Sequence, residues 1–132
     1  MNGTDRRMKR LTVTYDTCDV DVVPFPFTDC SVSKRRPALV LSDNEVFNEA
    51  IGHSVLAMIT TRGNSHWPLD IPIENLKAAG LPAPSIVRMK LFTLDHKIIL
   101  RRAGRLAMED QQNVRVALAH LLRFATPDQP TL

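Results

Sequence analysis

The apolar residues of this chain come in short runs broken by turn formers, and that pattern limits the folds open to it. Ala38-Leu39-Val40-Leu41 and Val55-Leu56-Ala57-Met58-Ile59 are continuous apolar stretches, the length of buried strands and too short for ordinary helices. Val20 and Val22 alternate with Asp19 and Asp21, and Leu69, Ile71 and Ile73 alternate again, as half-buried strands do. Ser85 to Met89 and Ile98 to Leu106 complete the strand candidates. Pro24, Pro26, Pro68 and Pro72 lie in or beside these segments. Proline cannot donate to a ladder, so it marks edges or strand ends.

Two segments read as helix. Ser42-Asp43-Asn44-Glu45 has capping-box spacing and opens a short helix to about Glu49. Glu109 to Phe124 carries Val114, Ala117, Leu118, Leu121 and Leu122 on one stripe. Glu109 and Asp110 sit in its first turn, where the helix dipole favours anions, and Pro127 ends it. Short strands with regular turn signals, closed by one packing helix, predict a mainly β small barrel. At 132 residues the chain suits one domain. We expect a loose basic arm over 1–16, the domain over 17–126 and a tail over 127–132.

The net charge of +3 favours an anionic partner over a cationic one. Part of the excess lies in Arg6, Arg7, Lys9 and Arg10, a stretch without the apolar core or cleavage site of a secretion signal. No apolar run reaches the roughly eighteen residues of a membrane span, so the expected compartment is the cytoplasm. Cys18 and Cys30 stand alone, without a CxxC pair, and the four histidines are scattered. Neither a metal site nor a disulfide framework is expected from such spacing.

One basic cluster, Ser33-Lys34-Arg35-Arg36-Pro37, directly precedes a buried strand. Such a run is often only a solvated turn. Pro37, however, biases Arg36 toward an extended backbone, and a guanidinium held at a barrel mouth can fork onto a phosphate. Thr60 ends the Met58-Ile59-Thr60 segment. It is either a β-branched strand residue or a hydroxyl that donates to a phosphoryl oxygen beside Arg36.

At these residues the chain resembles a family. Asp19-Val20-Asp21-Val22-Val23-Pro24-Phe25-Pro26-Phe27-Thr28-Asp29, followed by Ser33-Lys34-Arg35-Arg36-Pro37-Ala38-Leu39-Val40-Leu41-Ser42, is similar to the signature of PemK/MazF toxins. Met58-Ile59-Thr60, Ser85-Ile86-Val87-Arg88, Phe92-Thr93-Leu94-Asp95 and Gly104-Arg105-Leu106 continue the likeness, which runs from about residue 18 to 123. In two places the chain departs from the pattern: the family usually carries glycine where Cys18 stands, and another in the first loop where this chain has Val32.

The resemblance implies a homodimeric SH3-like barrel, PemK/MazF-like and closed by a C-terminal helix. It implies a metal-independent endoribonuclease that cleaves single-stranded RNA to 2′,3′-cyclic phosphate and 5′-OH ends, needs no cofactor and is neutralised by a cognate antitoxin. By carry-over Arg36 and Thr60 are catalytic and Lys34, Arg35 and Lys90 match the substrate groove; Thr61, His66 and Trp67, following Thr60 in the chain, are further RNA-binding candidates. His66, in the loop after Thr60, is a candidate base, but it reads more readily as an exposed loop histidine. Trp67 would stack a base or pack on a dimer partner, and Lys90 is otherwise a solubilising charge. Two other functions fit the same barrel: a toxin that binds a protein target such as DNA gyrase, and a non-catalytic binding module.

Overall fold

The computed structural model describes residues 13–25, 34–63 and 65–124. Six strands form one antiparallel sheet: β1 (Asp19–Phe25), β2 (Lys34–Val40), β3 (His53–Thr61), β4 (Ile71–Pro72), β5 (Ser85–Asp95) and β6 (Arg101–Arg105). Their order across the sheet is β4-β5-β3-β2-β1-β6, and the sheet curls into a half-barrel. Between β2 and β3 a π-helical turn, Asn44–Asn48, runs into α1 (Glu49–Ile51); α2 (Leu76–Ala79) precedes β5 and α3 (Met108–Leu122) ends the described chain. The mainly β reading with a closing helix therefore holds.

Directly opposed residues of antiparallel strands share a face, and the register sorts the core into two layers. Val20, Leu39, Ala57, Ile59 and Val87 face one side and pack with Leu106, Val114 and Ala117 under α3. Val23, Ala38, Val40, Leu56 and Leu94 face the other and form a smaller cluster with Phe92 and Ile99. Both faces are buried, which explains the continuous apolar runs in β2 and β3. A fully buried Val, Leu or Ile side chain contributes about 1.5–3 kcal/mol, and Leu39, Val40, Leu56 and Ile59 of these two strands are among those with no exposed surface.

Several elements differ in detail from the sequence reading. The cap at the short helix is Asp43, whose carboxylate accepts from the Val46 amide at 2.8 Å. Ser42 turns inward, where its Oγ accepts from the Val55 amide at 2.8 Å and meets Asn48. The alternating segment 69–73 yields only the two-residue β4, because Leu69 adopts φ +68 and Asp70 closes a turn on Trp67. β5 runs on to Asp95, and a 3-10 turn at His96–Ile98 delays β6. On α3, Val114 and Ala117 are buried, whereas Leu121 and Leu122 remain largely exposed.

Proline placement also resolves. Pro24 lies within β1, but β6 pairs with β1 only from Asp19 to Val22, so the proline stands where that side of β1 is already an edge. Pro37 has a larger effect. Leu41 donates to Val55 of β3 at 2.8 Å, and strand alternation makes the nitrogens of Leu39 and Pro37 face β3 as well. Pro37 has no hydrogen to give, and the β2–β3 ladder stops at Ala38–Met58. Beyond that pair the two strands form no further ladder pair.

Tyr15 and Asp16, within the stretch read as an arm, are anchored. The Tyr15 ring lies 4.0 Å from that of His96, and Asp16 accepts from the Asn44 amide at 3.0 Å. Residues 1–12, Cys30 and Val32 lie outside the described residues.

Candidate functional site

Continuing the β2–β3 register two residues past its last pair sets Arg36 opposite Thr60. The flanking ladders extend the row: Val23 is the β1 partner of Arg36, and Ile86 of β5 is the partner of Thr60, with Pro72 of β4 beyond it. One line across the face therefore reads Val23, Arg36, Thr60, Ile86, Pro72. Arg36 and Thr60 are each partly exposed, at the place where Pro37 ends the ladder. A cation and a hydroxyl on one face, at an opening between strands, can approach the same phosphate.

Around this pair the basic groups separate by strand parity. Lys34 is exposed and shares the Arg36 face. Arg35 points the other way, with Pro37 and Val22, and borders a cleft of 210 Å³ together with Arg36 and Arg101. The sequence reading missed Arg101. Its only signal was an Arg-Arg pair, and the β1–β6 register that sets Arg101 against Val22 is a tertiary fact. Thr61 is exposed but, one residue along the strand, projects from the face opposite to Thr60.

Lys90 owes its position to a bulge. β5 pairs Leu91 with Ala57 and Arg88 with Met58, which leaves Met89 and Lys90 as extra residues that bend the strand. The Lys90 ammonium comes 5.4 Å from the centroid of the Phe25 ring. Phe25 follows Val23 by two residues on the Arg36 face, so the curl of the sheet carries Lys90 over to that face.

His66 and Trp67 sit in the loop after β3, both exposed. The Trp67 ring lies against the Arg88 guanidinium at 5.1 Å, an attractive cation–π arrangement. Arg88 in turn forks onto Asp70, at 3.2 Å from Nε to Oδ1 and 3.0 Å to Oδ2, and also donates to the Ser65 carbonyl. Burial would raise the Asp70 pKa, but the Arg88 bonds and the Trp67 amide outweigh it and hold the carboxyl below its usual value. Arg88 and Asp70 were not among the residues singled out from sequence. They fix the loop that carries His66 and Trp67.

Among the described residues no three His, Cys, Asp or Glu side chains converge as a metal site, and no helix is long and apolar enough to cross a membrane. Cys18 is half-buried and unpaired by any disulfide.

Comparison with known proteins points one way. Residues 18–122 match the model of the PemK-like, MazF-like toxins of type II toxin–antitoxin systems. No curated protein matches the chain. Among solved structures, MazF in a MazE–MazF complex from Deinococcus radiodurans is 20% identical with a TM-score of 0.68, covering 86% of this chain and 100% of that one. An endoribonuclease in complex with its cognate antitoxin from a mycobacterial species is 16% identical, TM-score 0.66, over 88% and 100% of the two chains. The Mycobacterium tuberculosis toxin MazF-mt6 is 20% identical, TM-score 0.63, over 82% and 99%. These identities speak for the fold; the family match, over most of the chain, decides membership. The chain belongs to the PemK-like, MazF-like toxins of type II toxin–antitoxin systems.

Proposed function

We propose that this toxin is an endoribonuclease that cuts single-stranded RNA without a metal ion. What supports this reading is the β2–β3 register: carried two residues past its last pair, it brings Arg36 opposite Thr60 at the opening beside Pro37. RNA brings its own nucleophile. The 2′-oxygen attacks the adjacent phosphorus, losing its proton, while the bond to the 5′-oxygen breaks and that oxygen takes up a proton. The products are a 2′,3′-cyclic phosphate and a 5′-OH.

In this scheme Arg36 neutralises the charge that grows on the phosphorane oxygens. Its guanidinium presents a planar fork of charged donors to those oxygens. Thr60 adds a directed hydrogen bond to the same oxygens. Donors aimed at developing charge are each worth roughly 100- to 1000-fold in turnover. Lys34, Arg35, Arg101 and Lys90 surround the pair and suit neighbouring phosphates. The partners that complete this reading are an antitoxin, as in the complexes of the structural neighbours, and a second copy of the chain.

Arg36→Ala and Thr60→Ala test it directly. Both variants should remain folded by circular dichroism yet lose at least about 100-fold in RNA cleavage measured in EDTA. End-group analysis of the parent's products should find cyclic phosphate. Intact RNA after incubation with parent protein, or 5′-phosphate ends, would sink the proposal; poisoning of DNA gyrase instead would point to a protein target.

A further inference from the structure

Beyond Thr60 the row continues into a cavity. Ile86 and Pro72, the next two members, form its apolar floor, and Arg62, Gly63, His66 and Asp70 make up the rest of a 280 Å³ space. Arg62 follows directly on β3 and its amide donates to the Pro84 carbonyl at 3.0 Å, just before β5. The cavity therefore adjoins Thr60 on the side away from Arg36.

Its chemistry is mixed in a particular way. Arg62 offers guanidinium donors and His66 a ring nitrogen. Asp70 offers an acceptor that is already held in place: among the described residues, Oδ2 accepts from Arg88 and from the Trp67 amide at 2.9 Å, while Oδ1 accepts from Arg88 Nε alone. A carboxylate oxygen can accept twice, which leaves one lone-pair direction of Oδ1 open. Apolar Ile86 and Pro72 beside guanidinium donors and an anchored carboxylate suit a planar heterocycle that carries both an amino group and ring acceptors.

We propose that this cavity is a base-recognition subsite, in which Asp70 and Arg62 select a nucleobase bearing an exocyclic amino group and reject uracil. The assignment rests on the ribonuclease reading for its position next to a scissile phosphate. Cytosine gives its N4 amino hydrogens to Asp70 and accepts from Arg62, in the donor–acceptor pattern by which acidic side chains read that base. Uracil turns a carbonyl oxygen toward the carboxylate, where two acceptors repel. Adenine and guanine also carry amino groups, so discrimination is sharpest between the two pyrimidines, which share size and shape. Trp67 is no wall of the cavity, but its amide fixes Asp70 and its ring stacks on Arg88, so its emission responds to occupancy.

The chain has a single tryptophan, Trp67, so its fluorescence can be titrated with decamers of deoxycytidine and of deoxyuridine. Neither has the 2′-OH, so binding is read without cleavage. The cytidine decamer should bind about tenfold tighter, in line with one good base contact. Arg62→Ala should weaken cytidine binding several-fold, and Asp70→Asn should abolish the preference between the two decamers. Equal affinity of the parent for both decamers would overturn the proposal, as would an unchanged preference in a folded Asp70→Asn protein. Because Asp70 also holds Arg88, the parent comparison decides the matter if that variant fails to fold. RNA cleavage measured in parallel separates the two claims: cleavage with equal binding removes the subsite alone, and preference without cleavage removes the ribonuclease alone. If there is neither binding nor cleavage, both fall.

Discussion

Asp21 occupies a position on β1 between Val20 and Val22 and faces the smaller core layer, opposite Ala38. It is 1% exposed, and its Oδ2 has no hydrogen-bond partner. Burial, reinforced by repulsion from Asp19 and only partly offset by Arg102, pushes its pKa up to about 6. A carboxyl whose pKa rises on folding leaves the native state unpenalised below the unfolded value near 3.8, and costs stability as pH climbs through about 6. At pH 7 to 8 that cost is at most about 3 kcal/mol. Asp21→Asn should therefore melt higher than the parent at pH 7.5, with the gap closing toward pH 4, as followed by thermal unfolding. A gap that does not depend on pH would show that the side chain is solvated. Cys18 is a second residue under strain. It adopts φ +78, a conformation that costs side-chain-bearing residues about 1–2 kcal/mol, while its amide and carbonyl tie β2 to Leu106. That geometry accounts for the glycine the family usually has there.

At the scale of elements, the seam between α2 and β6 is built backbone to backbone. A Cβ on Gly104 would lie 2.4 Å from the Ala78 carbonyl oxygen, and one on Gly80 would lie 2.0 Å from that of Ala103. Neither neighbour is a flexible side-chain end that could move aside. Gly104→Ala should cost about 1–3 kcal/mol or more, read from the denaturant midpoint. An unchanged midpoint would mean that α2 lifts freely from β6. Asp110 braces the same region from α3. Its carboxylate accepts from the amides of Glu74 and Asn75 at 2.9 and 3.0 Å, so this first-turn anion caps a neighbouring element as well as facing its own helix dipole. On the other side of β6, buried Asp19 holds Arg102 at 2.9 Å and Arg105 at 3.0 Å, which engages two of the three β6 arginines. Arg101 remains on the cleft with Arg35 and Arg36.

For the molecule as a whole, the net charge of +3 is less informative than its distribution. Lys34, Arg35, Arg36, Lys90 and Arg101 come from three strands yet gather around the end of the sheet where the β2–β3 ladder opens. If that end tracks an RNA backbone, affinity for a non-cleavable single strand should fall with salt at a log–log slope of about −0.7 for each phosphate neutralised. Arg101→Ala should make the slope shallower by about one such step, measured by fluorescence anisotropy between low and physiological salt. An unchanged slope would remove Arg101 from the interface.

The local instructions were legible in the chain itself. Short apolar runs specified strands because a two-residue period with both faces buried leaves few alternatives, and the stripe at 114–118 specified a packing helix. The arginine–proline block and the threonine ending β3 stood out through their likeness to a family. What the sequence could not order was separation along the chain. Arg36 and Thr60 lie 24 residues apart, and it is the β2–β3 register, extended past its last pair, that aligns them. Arg101, Arg88 and Asp70 carried no local mark, because their roles arise from partners on other strands. Periodicity and proline chemistry act within a few residues and so can be read directly, whereas register, bulges and sheet curl are settled by packing across the whole molecule, and the candidate site is assembled at that level.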